Sequence, residues 1–237
     1  MRALLADPAT NGCLADIQRL ADTLAWFGAW NGLTLTLLKY GSPGVPDLYQ
    51  GSELIELSLV DPDNRRPVDY ALRQERLAAL QAMAGQGDLA AQLRAMVASP
   101  HDGRAKLWFI WRLLSLRRAQ PLLFREGSYE PLQVEGPLAR HVVAFARRHE
   151  GRMLVVITGR LFAVLSHRSA GDHAAPALPD APAWQGTTVR LPDGLQRVTL
   201  EDLLTGESLT AADGRIDLGD ALRRMPWAAF QAARAPR

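Results

Sequence analysis

The sequence predicts a mixed architecture, with a helical, α/β-type first half followed by an all-β module. Three observations carry this. Apolar residues recur every three or four positions up to about residue 119. Beyond Phe124 they alternate instead, in short runs separated by Gly-, Pro- and Asp-containing turns. The 237 residues, 48% hydrophobic and 22% charged, suffice for one large or two modest domains and do not fit a disordered chain.

From Asn11 or Asp16, either of which can cap, Leu14, Ile17, Leu20, Leu24 and Phe27 follow helical spacing. Leu33, Leu35, Leu37 and Leu38 suit a continuing buried helix, although their alternation also suits a strand. Gly41 to Gly51 is a short apolar run bounded by Pro and Gly, expected to be a short buried strand entering a loop. Asp61 to Tyr70 is too polar and proline-rich for a regular element. Helices are expected over 71–83, 89–97 and 104–119, the last ending before Pro121. Strands are expected at 129–134, 141–147, 153–158, 187–191, 197–200, 216–218 and 227–230, with a long Ala/Pro/His loop over about 166–186.

Composition excludes several functions. Lys39 and Lys106 are the only lysines among 27 cations, and acids are interspersed with the arginines, so no basic stripe for nucleic acid forms. No run of 18 apolar residues suggests a membrane span. Cys13 alone cannot form an intrachain disulfide, which fits a cytoplasmic home. His101, His141, His149, His167 and His173 are scattered without metal-ligand spacing, and no nucleophile elbow or phosphate loop occurs. No metal and no cofactor are therefore expected. Of six tryptophans, Trp26, Trp30, Trp108 and Trp111 read as core, and Trp184, in a polar loop, is kept as a possible surface contact for sugar.

The chemically informative region is Pro43 to Tyr70. Asp47, Glu53, Glu56, Asp61, Asp63, Asn64, Arg65, Arg66 and Asp69 crowd there among prolines. Arg–carboxylate pairs would preorganise such a loop, and spare donors and acceptors would suit a neutral polyhydroxyl ligand.

The run Ser42-Pro-Gly-Val-Pro-Asp-Leu-Tyr-Gln-Gly-Ser-Glu53 resembles the eighth barrel strand and following loop of the α-amylase superfamily, which often reads Pro-Gly-X-Pro-X-X-Tyr-X-Gly-X-Glu. Leu57 through Tyr70, Trp108 through Arg118, Phe124 through Tyr129 and His141 through Arg147 resemble the C-terminal part of the maltooligosyl trehalose synthases. That resemblance implies the C-terminal portion of a (β/α)8 barrel over 1–126, with a helical excursion at 71–100, and a β-sandwich over 127–237.

It also implies an isomerase activity, an intramolecular transglucosylation turning the reducing-end α-1,4 bond of a maltooligosaccharide into an α,α-1,1 bond. Tyr49, Gln50 and Glu53 would stand at the end of a barrel strand, where barrel sites are built. Asp61, Asn64, Arg65 and Arg66 would grip the freed glucose or brace the wall beside it. The catalytic carboxylates follow earlier barrel strands, so no catalytic residue is assigned here, and this chain alone is expected to be inactive. The partners implied are the glucan substrate and the missing N-terminal barrel portion, with no nucleic acid or membrane. An open barrel would expose Leu33–Leu38 and Val45–Leu48 and lower solubility. A non-catalytic carbohydrate-binding or interaction module, or another glucan enzyme of the superfamily, is the alternative.

Overall fold

The computed structural model describes residues 12–170 and 176–232. Helix α1 (Gly12–Gly41) runs for 30 residues. Its second half buries Trp30, Leu33, Leu37 and Tyr40, spaced three or four apart, whereas Ile17, Leu20 and Leu24 of the first half stay exposed. The leucines at 33–38 are thus helical. Leu33 and Leu37 are covered, and Leu35, on the other side of the helix, is exposed.

Gly41 ends the helix against the β half. A Cβ there would meet Val156 Cγ2 at 2.9 Å and Phe145 Cζ at 3.1 Å, so this close approach requires glycine.

The short buried strand expected after Gly41 is absent. Residues 43–49 are irregular and Val45 is 96% exposed. Pro43 and Pro46 lack backbone donors, and Gly44 has a positive φ. Among the described residues no strand pairs with the segment, so its backbone has no ladder to join there.

The three following helices form where expected: α2 (Tyr70–Met83), α3 (Leu89–Ala98) and α4 (Arg104–Ala119). Asp69 and Asp88 cap the first two, accepting from Leu72 N at 2.9 Å and Ala91 N at 3.0 Å. A short α5 (Pro121–Arg125) completes the helical half.

In the β half the strands are β1 (Glu130–Pro131), β2 (Val134–Glu135), β3 (Val142–His149), β4 (Arg152–Gly159), β5 (Thr188–Arg190), β6 (Val198–Asp202), β7 (Ser208–Ala211), β8 (Arg215–Asp217) and β9 (Trp227–Ala232). Two antiparallel sheets result. One is six-stranded in the order β1-β3-β4-β9-β6-β7, and the other three-stranded in the order β2-β5-β8. The single strand expected at 129–134 is instead two short pieces that join different sheets, with Leu132 and Gln133 between. Strand β7 was not foreseen, because Ser208-Leu209-Thr210-Ala211 carries too little apolar character to alternate visibly.

The loop expected over 166–186 also contains structure. Helix α6 (Phe162–Ala170) enters it and α7 (Ala181–Trp184) closes it, while His173 lies outside the described residues. Trp184 is not a surface contact: it is fully buried.

Helices and sheets share one core, a continuous cluster reaching from Trp30 through Trp108 to Phe230. Along its seam, Thr34 Oγ1 donates to the Gly159 carbonyl at 2.9 Å and accepts from Trp227 Nε1 at 2.9 Å. Phe109 meets the Trp227 ring edge-on at 6.1 Å, and Trp108 Nε1 donates to Leu204 O at 3.0 Å. Helices α1 and α4 thereby cover the Thr158–Trp227 face of the larger sheet. Among the described residues no helix is long and apolar enough to cross a membrane.

Candidate functional site

The 42–70 segment has little regular structure, so side chains from the helices beneath must hold it. Three cations do so, all by donating to backbone carbonyls. Arg117 on α4 reaches the carbonyls of Tyr40 at 2.9 Å, Ser42 at 3.2 Å and Gly44. Lys106, about three turns earlier on the same face of α4, donates to Leu54 O at 3.2 Å. Arg73 on α2 donates to Gly51 O at 2.6 Å and to Asp69 O at 3.0 Å, and pairs with Glu53 at 3.0 Å. Gly103, at φ +74°, lets the chain lie against the start of α4, since a Cβ there would sit 2.7 Å from Ile55 N.

Burial leaves marks on these groups. Lys106 is held below the ordinary lysine value, first by desolvation and then by the neighbouring charge of Lys39. The Tyr40 phenol is pushed up by burial and by the charges of Asp47 and Glu53, and its hydroxyl is buried with no hydrogen-bond partner. The Glu56 carboxyl is lowered by the Ser58 hydroxyl and amide, the latter donating at 2.9 Å.

The outer part of the loop, beyond Glu56, is a self-contained knot. Asp61 pairs with Arg65, whose Nη2 donates to Oδ2 at 2.8 Å, and Asp63 pairs with Arg66. Asp63 also accepts from Leu59 N at 2.8 Å, which closes the turn around the 3₁₀ segment Asp63–Arg65. Asn64 Oδ1 is buried without a partner. The structure therefore brings Asp61, Asn64, Arg65 and Arg66 together. Tyr49 and Gln50 stand exposed on the inner loop, and Glu53 is turned into the Arg73 pair.

The 42–70 segment also leaves apolar side chains in a fringe of solvent contact: Val45 is 96% exposed, Leu57 85%, Leu59 76% and Val60 85%. A fringe of that kind is uncommon on a finished surface.

The supporting residues Arg73, Lys106 and Arg117 were not among those singled out from the sequence. Their partners are main-chain carbonyls, which leave no trace in side-chain identity. Only the isolation of Lys39 and Lys106 as the two lysines was a visible sign.

No protein-family model matches the sequence. Over 154 residues, 65% of this chain, it is 41% identical to a Mycobacterium tuberculosis protein (strain H37Rv) that carries the name maltooligosyl trehalose synthase. A solved maltooligosyltrehalose synthase from Arthrobacter ramosus matches 98% of this chain with 31% identity and a TM-score of 0.72. A maltogenic α-amylase from Thermotoga neapolitana, at 10% identity and a TM-score of 0.50, shares the fold alone.

The fold is thus one that the chain has in common with an α-amylase. Its sequence and structure match the maltooligosyl trehalose synthases, in agreement with a C-terminal part of such a protein. The chain spans 17% of the Mycobacterium relative and 25% of the Arthrobacter structure.

Proposed function

We propose that this chain serves as the C-terminal part of a maltooligosyl trehalose synthase. The whole enzyme would act as an isomerase, moving the reducing-end glucose of a maltooligosaccharide from an α-1,4 to an α,α-1,1 linkage. The likeness to the Arthrobacter enzyme along nearly the full chain carries this reading. In it, residues 1–126 are the closing portion of a (β/α)8 barrel and 127–237 are its β-sandwich companion.

Retaining chemistry on such a bond uses a carboxylate nucleophile and a carboxylic acid flanking it. Both would be supplied by preceding barrel segments. The part left to this chain is retention: the released glucose must stay, turn and attack through its anomeric hydroxyl before water does. The Asp61–Arg65 and Asp63–Arg66 pairs fix their guanidinium forks while leaving outward donors, and Asn64 lies between them. Tyr49, Gln50 and Glu53 would border the same sugar. The exposed fringe of Val45, Leu57, Leu59 and Val60 supports a partner of the same kind, the barrel portion these side chains would pack against. Such an enzyme would work in the cytoplasm.

Incubation with maltopentaose tests the proposal. The chain alone should give no trehalosyl product. Joined behind the preceding part of a relative such as the Arthrobacter enzyme, it should give a nonreducing trehalosyl oligosaccharide. Activity of the isolated chain, or hydrolysis products alone from the joined protein, would contradict it.

A further inference from the structure

The β half contains a cleft that the reaction above does not use. Strands β7 and β8 leave a tight turn held by one bridge, Ala212 to Arg215, and then part company, β7 joining the larger sheet and β8 the smaller. Each is the outer strand of its sheet, so the backbone groups facing the gap have no ladder partner. The gap encloses about 400 Å³, within the range of about 300–1,000 Å³ seen for small-molecule sites.

Its polar lining mixes both charges, with Arg215, Arg223 and Arg224 set against Asp202, Glu207, Asp217 and Asp220. Glu207 is shared by Arg223 at 3.0 Å and Arg224 at 3.2 Å. Across the gap, Arg215 pairs with Glu135 at 2.5 Å and reaches the Thr188 hydroxyl at 3.3 Å. The exposed hydroxyls of Ser208 and Thr210 stand on β7, two residues apart and so on one face. Met225 adds an apolar patch to the lining.

Guanidinium–carboxylate pairs beside exposed hydroxyls offer alternating donors and acceptors, and the acids among them disfavour an anion. That chemistry suits vicinal diols.

We propose that this cleft binds a neutral oligosaccharide segment, giving the chain a second sugar contact on its β half. The proposal goes beyond the reaction above and does not depend on it. A failure here would leave the maltopentaose product assay untouched.

The test uses the chain as it stands, with methyl-labelled methionine and maltoheptaose as probe. The Met225 methyl resonance should shift saturably, while those of Met83 and Met96, in the helical half, should not. Ser208→Trp and Thr210→Trp, both at exposed positions, should each weaken that binding at least tenfold. Arg125→Ala, on the surface elsewhere, should leave it within twofold. Glucose 6-phosphate should bind more weakly than the neutral sugar. An unmoved Met225 resonance, indifference to both tryptophan variants, or preference for the phosphorylated sugar would each overturn the proposal.

Discussion

Polar side chains do different work in two regions of this molecule. Along the seam between α1 and β9, Thr34 and Trp227 are buried, and each hydrogen bond closes a group that has no access to water. In the 61–66 knot, Arg65 and Arg66 stand 67% and 75% exposed while paired to acids. Exposed pairs contribute only about 0–1 kcal/mol, whereas an orphaned buried donor or acceptor costs about 1–3 kcal/mol. The seam therefore stabilises the fold, and the knot has little reason to be there for stability. That contrast supports the ligand-handling role proposed for the loop.

The largest change should come from the seam's apolar neighbour. Leu37 is wholly buried, so Leu37→Ala should cost about 2–5 kcal/mol in urea unfolding. A cost below ~1 kcal/mol would mean that α1 is not anchored on the sheet.

A pH dependence of nearly that size should come from Asp202. Burial pushes its carboxyl from 3.8 up to about 6, overriding the hydrogen bonds from Ala229 N at 3.0 Å and the Thr205 hydroxyl at 2.7 Å, which favour the charged form. A raised folded value means that the folded state holds the proton longer than the unfolded chain. The contribution is complete below about pH 4, falls as pH rises to about 6 and is flat above, about 3 kcal/mol in all. Unfolding midpoints of the wild type and Asp202→Asn, measured from pH 4 to 7, should diverge accordingly. Parallel curves would show that Asp202 does not titrate in this range.

Thr34→Val keeps the shape but strips Trp227 Nε1 of its acceptor and takes one of two hydroxyl donors from the Gly159 carbonyl, and should cost about 1–3 kcal/mol. Arg66→Ala should change stability by less than about 0.5 kcal/mol. If these two variants proved equally destabilising, the distinction between seam and knot would fail.

The sequence revealed the regular parts best. Apolar spacing located α2 and α3, which Asp69 and Asp88 cap, and alternation located β3, β4 and β9. It misread residues 43–51, because an apolar run between prolines looks like a strand whether or not a neighbouring strand exists to pair with it. It misread Trp184 too, since a polar loop around a tryptophan says nothing about what folds over it from elsewhere.

In the candidate site, Asp61, Asn64, Arg65 and Arg66 are adjacent in sequence, so their proximity was legible. The hold that Arg73, Lys106 and Arg117 keep on carbonyls 22 to 77 residues away was not.

The most direct test lies in the product ratio of Arg66→Ala, made in the chain joined behind a relative's preceding barrel portion. Folding should match the parent. The proportion of trehalosyl product relative to free glucose should fall several-fold, because the loop no longer retains the sugar while water attacks. An unchanged ratio in a folded, active protein would contradict the role given to this loop.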